Sequence, residues 1–181
     1  HLNGRLAMAL SPDGRSLVSQ AGDSVSFMQW DVPSLDGKLM KASQGVNAFA
    51  MSFSPDGRSL VASPGSGNIV FWDLDPAEPH RPVTLAGHED LILDLAFTSD
   101  GKTLASASYD KTVRLWDASA IWRGDLRSQP MVRHGIVIRG LSFSPDSRYL
   151  ASISWENNPE TQTTNVISSS VKLWAVATQS E

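Results

Sequence analysis

The sequence predicts an all-β fold of about four repeated units, each a four-stranded antiparallel sheet. Three observations carry that prediction. A turn motif recurs, as SPDGR at Ser11 and Ser54, TSDGK at Thr98 and SPDSR at Ser144, at steps of 43, 44 and 46 residues. A tryptophan follows each turn: Trp30, Trp72 and Trp116 come 19, 18 and 18 residues after its first residue, and Trp174 comes 30 after. Between these landmarks apolar residues alternate with period two, the signature of half-buried strands, and helical spacing is nowhere sustained. A repeat of this length suits the blade of a propeller and is too long for most helical repeats.

Each unit runs in one order. LAMAL, AMSF, LDLAF and GLSF are the strands that enter the turn. The turn itself follows from its residues: Pro fixes one φ, Asp bonds its own backbone, and Gly is free to take φ > 0, so Ser-Pro-Asp-Gly closes a hairpin. Position 147 is Ser in place of Gly, which costs some strain. IVFW, VRLW and VKLW then approach the tryptophan as later strands. The repeats are placed at approximately 1–43, 44–86, 87–132 and 133–181, the last with an insertion at about 155–169. Residues 1–181 are thus expected to form a single, partial propeller. No strand is left over to close a ring, and alternating apolar faces such as Met8 and Leu10 would stand open, so the expectation is a larger ring completed by remaining blades or by a second copy.

Composition narrows the function. The 181 residues are 41% hydrophobic and 19% charged, which is ordinary globular material. A net charge of −4 argues against nucleic acid as a partner, since phosphate binding needs a strongly basic face. The one basic stretch, Lys111 to Arg148, holds seven Lys and Arg against three Asp and reads as a solvated or partner-facing surface. With no cysteine there is no disulfide, thiolate nucleophile or thiolate metal site. No apolar run is long enough to span a bilayer, so no membrane partner is expected. Together with the lack of a visible targeting segment, the lack of cysteine points to the cytoplasm.

The order of histidine, turn and tryptophan resembles the WD-repeat family of β-propellers, whose unit opens on Gly-His and closes on Trp-Asp. Gly87-His88 and Trp116-Asp117 match both ends, and Trp30-Asp31 and Trp72-Asp73 match the second. Ten residues before Ser11, Thr98 and Ser144 stand His1, His88 and His134, whereas Gln44 stands before Ser54. The resemblance covers nearly the whole chain. It implies a buried hydrogen-bond network within a blade, and the third unit carries the full set: His88, Ser106, Asp110 and Trp116. The first unit offers His1, Ser19 and Trp30, with Asp23 one residue out of register. The second keeps only Trp72. The fourth has His134, Ser152 and Trp174, with Ser168 where the aspartate would be. The third blade should therefore be the firmest.

The same resemblance implies a non-catalytic interaction scaffold, possessing no cofactor or metal, that presents one rim to a protein or peptide. The rim positions hold Asn47 and Phe49, Leu91 and Leu93, Tyr109, and Val137 and Arg139, of which Phe49 and Leu93 read better as core strand residues. Trp155, which opens the insertion, is added as an anchor, and the insertion is expected to be a mobile flap beside this surface. The alternative is a propeller attached to, or itself acting as, an enzyme domain whose catalytic residues lie outside this chain. A Ser-His-Asp relay from Ser106, His88 and Asp110 would suit acyl transfer, but the repeat already explains the trio and no G-x-S-x-G elbow exists. GSG at Gly65 to Gly67 reads as a turn. The acidic piece WDLDPAEPH reads as a solvated loop between blades and not as a cation site. Trp122 is expected to pack a connecting loop.

Overall fold

Alternating stretches become strands in the computed structural model, which describes residues 7–20, 26–41, 48–74, 82–123, 128–157 and 166–176. Among these residues fifteen strands make four antiparallel sheets. The first sheet is β1 (Met8–Leu10), β2 (Ser16–Gln20), β3 (Ser26–Asp31) and β4 (Asp36–Lys41). The second is β5 (Ala50–Phe53), β6 (Ser59–Ser63), β7 (Asn68–Asp73) and β8 (Val83–Ala86). The third is β9 (Ile92–Phe97), β10 (Thr103–Ser108), β11 (Thr112–Asp117) and β12 (Ser128–Arg133), with a 3-10 helix at Ala118–Arg123 between its last two strands. The fourth is β13 (Ile138–Phe143), β14 (Tyr149–Asn157) and β15 (Val166–Ala175). Strands pair in sequence order within every sheet, and β1, β5, β9 and β13 lie successively side by side. This is the arrangement of propeller blades set around an axis.

The four Ser/Thr-x-Asp turns close their hairpins identically. In the first, Ser11 Oγ donates to Asp13 Oδ1 at 2.6 Å and accepts from Ser16 N at 2.8 Å, while Asp13 Oδ1 accepts from Arg15 N at 3.0 Å. The same three bonds recur at Ser54, Thr98 and Ser144. Neighbouring turns also touch. A Cβ on Gly57 would lie 3.8 Å from Pro12 Cδ, and one on Gly101 would lie 3.4 Å from Pro55 Cδ. At the third junction both residues differ. Ser147 holds φ 60° without being glycine, and its Oγ accepts the amide of Ser99 at 2.9 Å. Ser99 stands where the earlier turns have proline, so it brings an N–H that needs an acceptor, and the Ser147 hydroxyl offsets its own backbone strain by supplying one.

Apolar residues on the two faces of each sheet pack against different neighbours. Ala7, Ala9 and Val18 meet Phe53, Leu60 and Ala62 between the first and second sheets. Val61, Ile69, Phe71 and Leu85 meet Ile92, Leu95, Leu104, Trp116 and Ile121 between the second and third. Ala105, Ala107 and Val113 meet Ile138 and Leu150 between the third and fourth. Each fully buried Leu or Ile contributes about 1.5–3 kcal/mol of transfer free energy, so these seams dominate stability. The outer faces of the two end sheets are open: Met8 and Leu10 are 68% and 56% exposed, and Val171 and Leu173 are 71% and 68% exposed.

The insertion differs from the expected flap. β14 and β15 continue past the blade, pairing Trp155 with Ser169, Glu156 with Ser168 and Asn157 with Val166. Polar residues lead to the loop expectation, yet Trp, Val and Ile at its flanks suit paired strands. Residues 158–165 of it and the side chains of 156, 157 and 166–168 lie outside the described set, as do 75–80 of the acidic piece and the side chain of Trp122.

The GSG turn joins β6 to β7, and its last glycine packs closely on the connection into the next blade. Gly67 has φ +70°, and a Cβ there would fall 2.5 Å from the carbonyl oxygen of His88. Gly14 has the same φ but nothing within 4 Å of that point. Gly14→Ala is expected to lose about 1 kcal/mol from backbone strain alone, and Gly67→Ala about 2–4 kcal/mol because a backbone atom must also move. The check is the denaturant midpoint at unchanged m-value; equal losses would contradict the blade contact.

Candidate functional site

His88 sits in the connection from β8 to β9, and the third sheet closes around it. Its Nε2 lies 2.7 Å from Ser106 Oγ on β10, and its Nδ1 lies 2.7 Å from Asp110 Oδ2 in the turn between β10 and β11. Trp116 Nε1, on β11, donates to the same Ser106 Oγ at 2.9 Å. Burial lowers the pKa of His88 although the Asp110 carboxylate opposes it, so the fold favours the neutral ring. The proton arrangement then follows. The carboxylate can only accept, so Nδ1–H donates to Asp110, Nε2 accepts the Ser106 hydroxyl proton, and that oxygen accepts from Trp116. Burial works against the Asp110 charge, but hydrogen bonds from the Thr112 hydroxyl and from His88 hold its carboxyl below the usual range.

The chain ties the incoming connection to the blade. Asp110 also accepts the amides of Glu89 at 3.1 Å and Thr112 at 2.8 Å. Ser108 Oγ donates to the carbonyl of Asp90 at 3.0 Å, and the Tyr109 amide donates to the carbonyl of Leu91 at 2.8 Å. Thr112 Oγ1 lies 2.6 Å from Asp110 Oδ1. The motif does not name Thr112 or Ser108, and only their place two residues either side of Asp110 could have suggested them.

As a nucleophilic relay this trio is closed. Ser106 has 0% of its surface exposed, so no carbonyl carbon reaches its Oγ. The cleft of about 220 Å³ between the second and third sheets lies at the opposite ends of the strands, among Ser54, Asp56, Phe71, Phe97 and Asp100.

The other units vary around the same plan. In the fourth, Trp174 Nε1 donates to Ser152 Oγ at 3.0 Å, and Ser152 lies 2.8 Å from His134 Nε2. The group at His134 Nδ1 is Ser154, at 3.2 Å, and Ser154 is linked in turn to Ser170 at 2.8 Å. Ser168 instead pairs with Glu156 in the extended hairpin, because the longer β14 and β15 shift the turn away from the histidine. Burial and the charge of Lys172 lower the pKa of His134. In the first unit Trp30 Nε1 donates to Ser19 Oγ at 3.1 Å, while His1 and Asp23 lie outside the described residues. In the second, Ala62 occupies the serine position, and the neighbouring Ser63 Oγ is buried with no hydrogen-bond partner among the described residues.

The network holds a rim. Leu91, Tyr109, Val137, Arg139 and Trp155 are all half-buried at the ends of the third and fourth sheets, and Asn47 lies outside the described residues. Leu93 is buried in the core. The structure brings three of these together: the guanidinium carbon of Arg139 stands 5.4 Å from the ring centre of Tyr109 and 5.3 Å from that of Trp155. Tyr109 belongs to the third sheet and Trp155 to the fourth, so the cluster spans the junction. Arg139 falls at a register shift in β13, where Ile138 faces Ser154 and Gly140 faces Ile153. Such a bulge re-aims a side chain.

Asp94 bridges the same junction from β9. Its Oδ2 accepts the amide of Leu141 on β13 at 2.6 Å, and its Oδ1 accepts that of Leu95 at 2.9 Å. Burial raises its pKa against these two bonds. In sequence it is one more polar residue in a strand, and nothing in the spacing reveals it.

Removing Asp110 leaves two backbone amides without their acceptor and His88 Nδ1–H with only the Thr112 hydroxyl, at 3.1 Å. Asp110→Ala is expected to cost about 1–3 kcal/mol in the denaturant midpoint. A loss below about 0.5 kcal/mol, the scale of ordinary surface changes, would show that the network does not hold the blade.

Comparison with known proteins gives a match to the family model described as WD domain, G-beta repeat, over residues 33–73, 81–117 and 128–174. Protein transport protein sec13 of Emericella nidulans is 27% identical over 176 residues, covering 87% of this chain and 54% of that protein. The WD repeat-containing protein 26 homolog of Arabidopsis thaliana is 26% identical over 171 residues, covering 94% of this chain and 26% of that protein. Small ribosomal subunit protein RACK1 of Caenorhabditis elegans is 43% identical over 56 residues, 27% of this chain and 17% of that protein. The chain thus spans about half or less of the length of these relatives.

Proposed function

The chain belongs to the WD-repeat family of β-propeller proteins, and from that premise we propose that it is a non-catalytic scaffold presenting the rim between its third and fourth sheets to a protein or peptide partner. The observation that carries this reading is the cluster of Tyr109, Arg139 and Trp155. Tyr, Trp and Arg are the residues that most often anchor protein interfaces, because each offers a large contact area together with a polar handle. Here the three hold one another across two blades, and the Tyr109 amide is bonded to Leu91. A side chain ordered before binding loses less entropy on contact, so a held arginine is a better anchor than a free one.

The relatives support the same class of function by their names, which place one in protein transport and another in the small ribosomal subunit. Those roles are theirs. For this chain the proposal is limited to protein recognition, and the exposed outer faces of the two end sheets are proposed as stacking surfaces for further blades or for a second copy. Among the described residues no helix is long and apolar enough to cross a membrane.

Tyr109→Ala, Arg139→Ala and deletion of Asn157 to Asn165 are each expected to weaken capture of the protein's native partners by about tenfold or more, the scale of an interface anchor. Thermal midpoints should stay within about 3 °C of wild type, as for surface changes of up to half a kcal/mol. Unchanged capture in all three, or losses that only track stability, would place the partner on another face.

A further inference from the structure

Among the described residues Arg139 has no counter-ion. Its guanidinium lies against the rings of Tyr109 and Trp155, and its Nε is buried with no hydrogen-bond acceptor among them. Three described carboxylates near the cluster accept bonds from other groups. Asp90 Oδ1 accepts the Leu91 amide at 2.7 Å, Asp110 is taken by His88, Thr112 and Glu89 N, and Asp94 by Leu95 and Leu141. Glu89 is exposed at the same rim, and among the described residues it forms no ion pair with Arg139. Two aromatic faces attract the cation but accept none of its N–H bonds in the plane of the guanidinium. The terminal Nη donors therefore keep their capacity for a two-oxygen acceptor.

We infer that the Tyr109–Arg139–Trp155 cluster is a receptor for one anionic side chain of an extended partner peptide, the aromatic rings fixing the arginine and the arginine pairing with the anion. The inference rests on the rim reading above and adds the chemistry of the ligand. Arginine is less hydrated than lysine and carries its donors in one plane, so an arginine held against two rings favours a carboxylate or phosphate over a neutral amide. The bulge at Arg139 serves that arrangement. Leu93, at the matching position of the third sheet, is also skipped by the register, yet it turns into the core. Of this pair only the arginine is held at the surface between two rings.

The test uses the protein against an immobilised library of nonapeptides, degenerate except for a central Glu, Gln, phosphoserine or Lys. Wild type is expected to retain Glu-centred or phosphoserine-centred peptides at least about fivefold over Gln-centred ones, as a charge-assisted pair requires. Whichever anion is favoured identifies the source as carboxylate or phosphate. Arg139→Gln should bring the ratio to about one at an unchanged thermal midpoint, and Arg139→Lys should restore it only in part. No anion preference in wild type, or one that survives in Arg139→Gln, overturns the inference. If Tyr109→Ala abolishes retention of every peptide while wild type shows no preference, the rim reading stands and the anion receptor alone fails. If neither variant changes any retention, both fail.

Discussion

The hydrogen-bond chain from Trp116 through Ser106 and His88 to Asp110 is the constraint on which the third blade depends. A buried imidazole, hydroxyl and carboxylate are costly unless each finds its partner, and here each does. The chain joins residues from the β8–β9 connection, from β10 and from β11, so the connection leaving the second sheet is fixed on the third. The rim inherits that order. Leu91 is held by Tyr109, Asp90 by Ser108 and Glu89 by Asp110, all within a few residues of the histidine. Tyr109, which clasps Arg139, is therefore aligned by the network and by the Asp94 bridge that draws β13 against β9.

Around that frame the four units keep their shape while differing in chemistry. Tryptophan and serine remain bonded in the first, third and fourth, whereas the aspartate role passes to Ser154 in the fourth. The second has alanine at the serine position and rests on apolar packing at both seams, with Leu60 and Val61 fully buried. Blade packing tolerates this because transfer of apolar surface is roughly additive and non-directional, whereas a polar network must be complete or absent. The Ser99–Ser147 pair shows the same logic at a turn: one departure from the motif is matched by another at the position it touches.

Much of the fold was legible because period, turn and tryptophan recur at one spacing. The hairpin turns could be read from Ser, Pro, Asp and Gly, since each residue has its own local reason to be there. The third unit's network could be placed by position. What escaped was whatever depends on contact across blades. Asp94 bonds Leu141 from 47 residues away. Gly67 is required by the His88 carbonyl of the next blade, and Ser154 replaces an aspartate only because the hairpin is longer. The insertion was read as a loop from its Asn, Thr and Pro content, although its flanks extend the strands. Tyr109, Arg139 and Trp155 were each candidates for the rim; that they form one cluster follows from a bulge that sequence alone does not show.

His88 is the structural hub of the third blade in one neutral tautomer, and nitrogen-15 NMR of its imidazole reads that directly. Because burial depresses the pKa of His88 below 6.5, the neutral form is favoured in the fold, and the stability it contributes is complete above that pH and declines as pH falls toward the folded value. The predicted result is an Nδ1–H tautomer with a slowly exchanging proton, whose charging midpoint lies below that of an ordinary histidine. A ring that titrates near the usual histidine value, or that carries its proton on Nε2, would contradict the arrangement of Trp116, Ser106, His88 and Asp110 on which the rim and its proposed partner site rest.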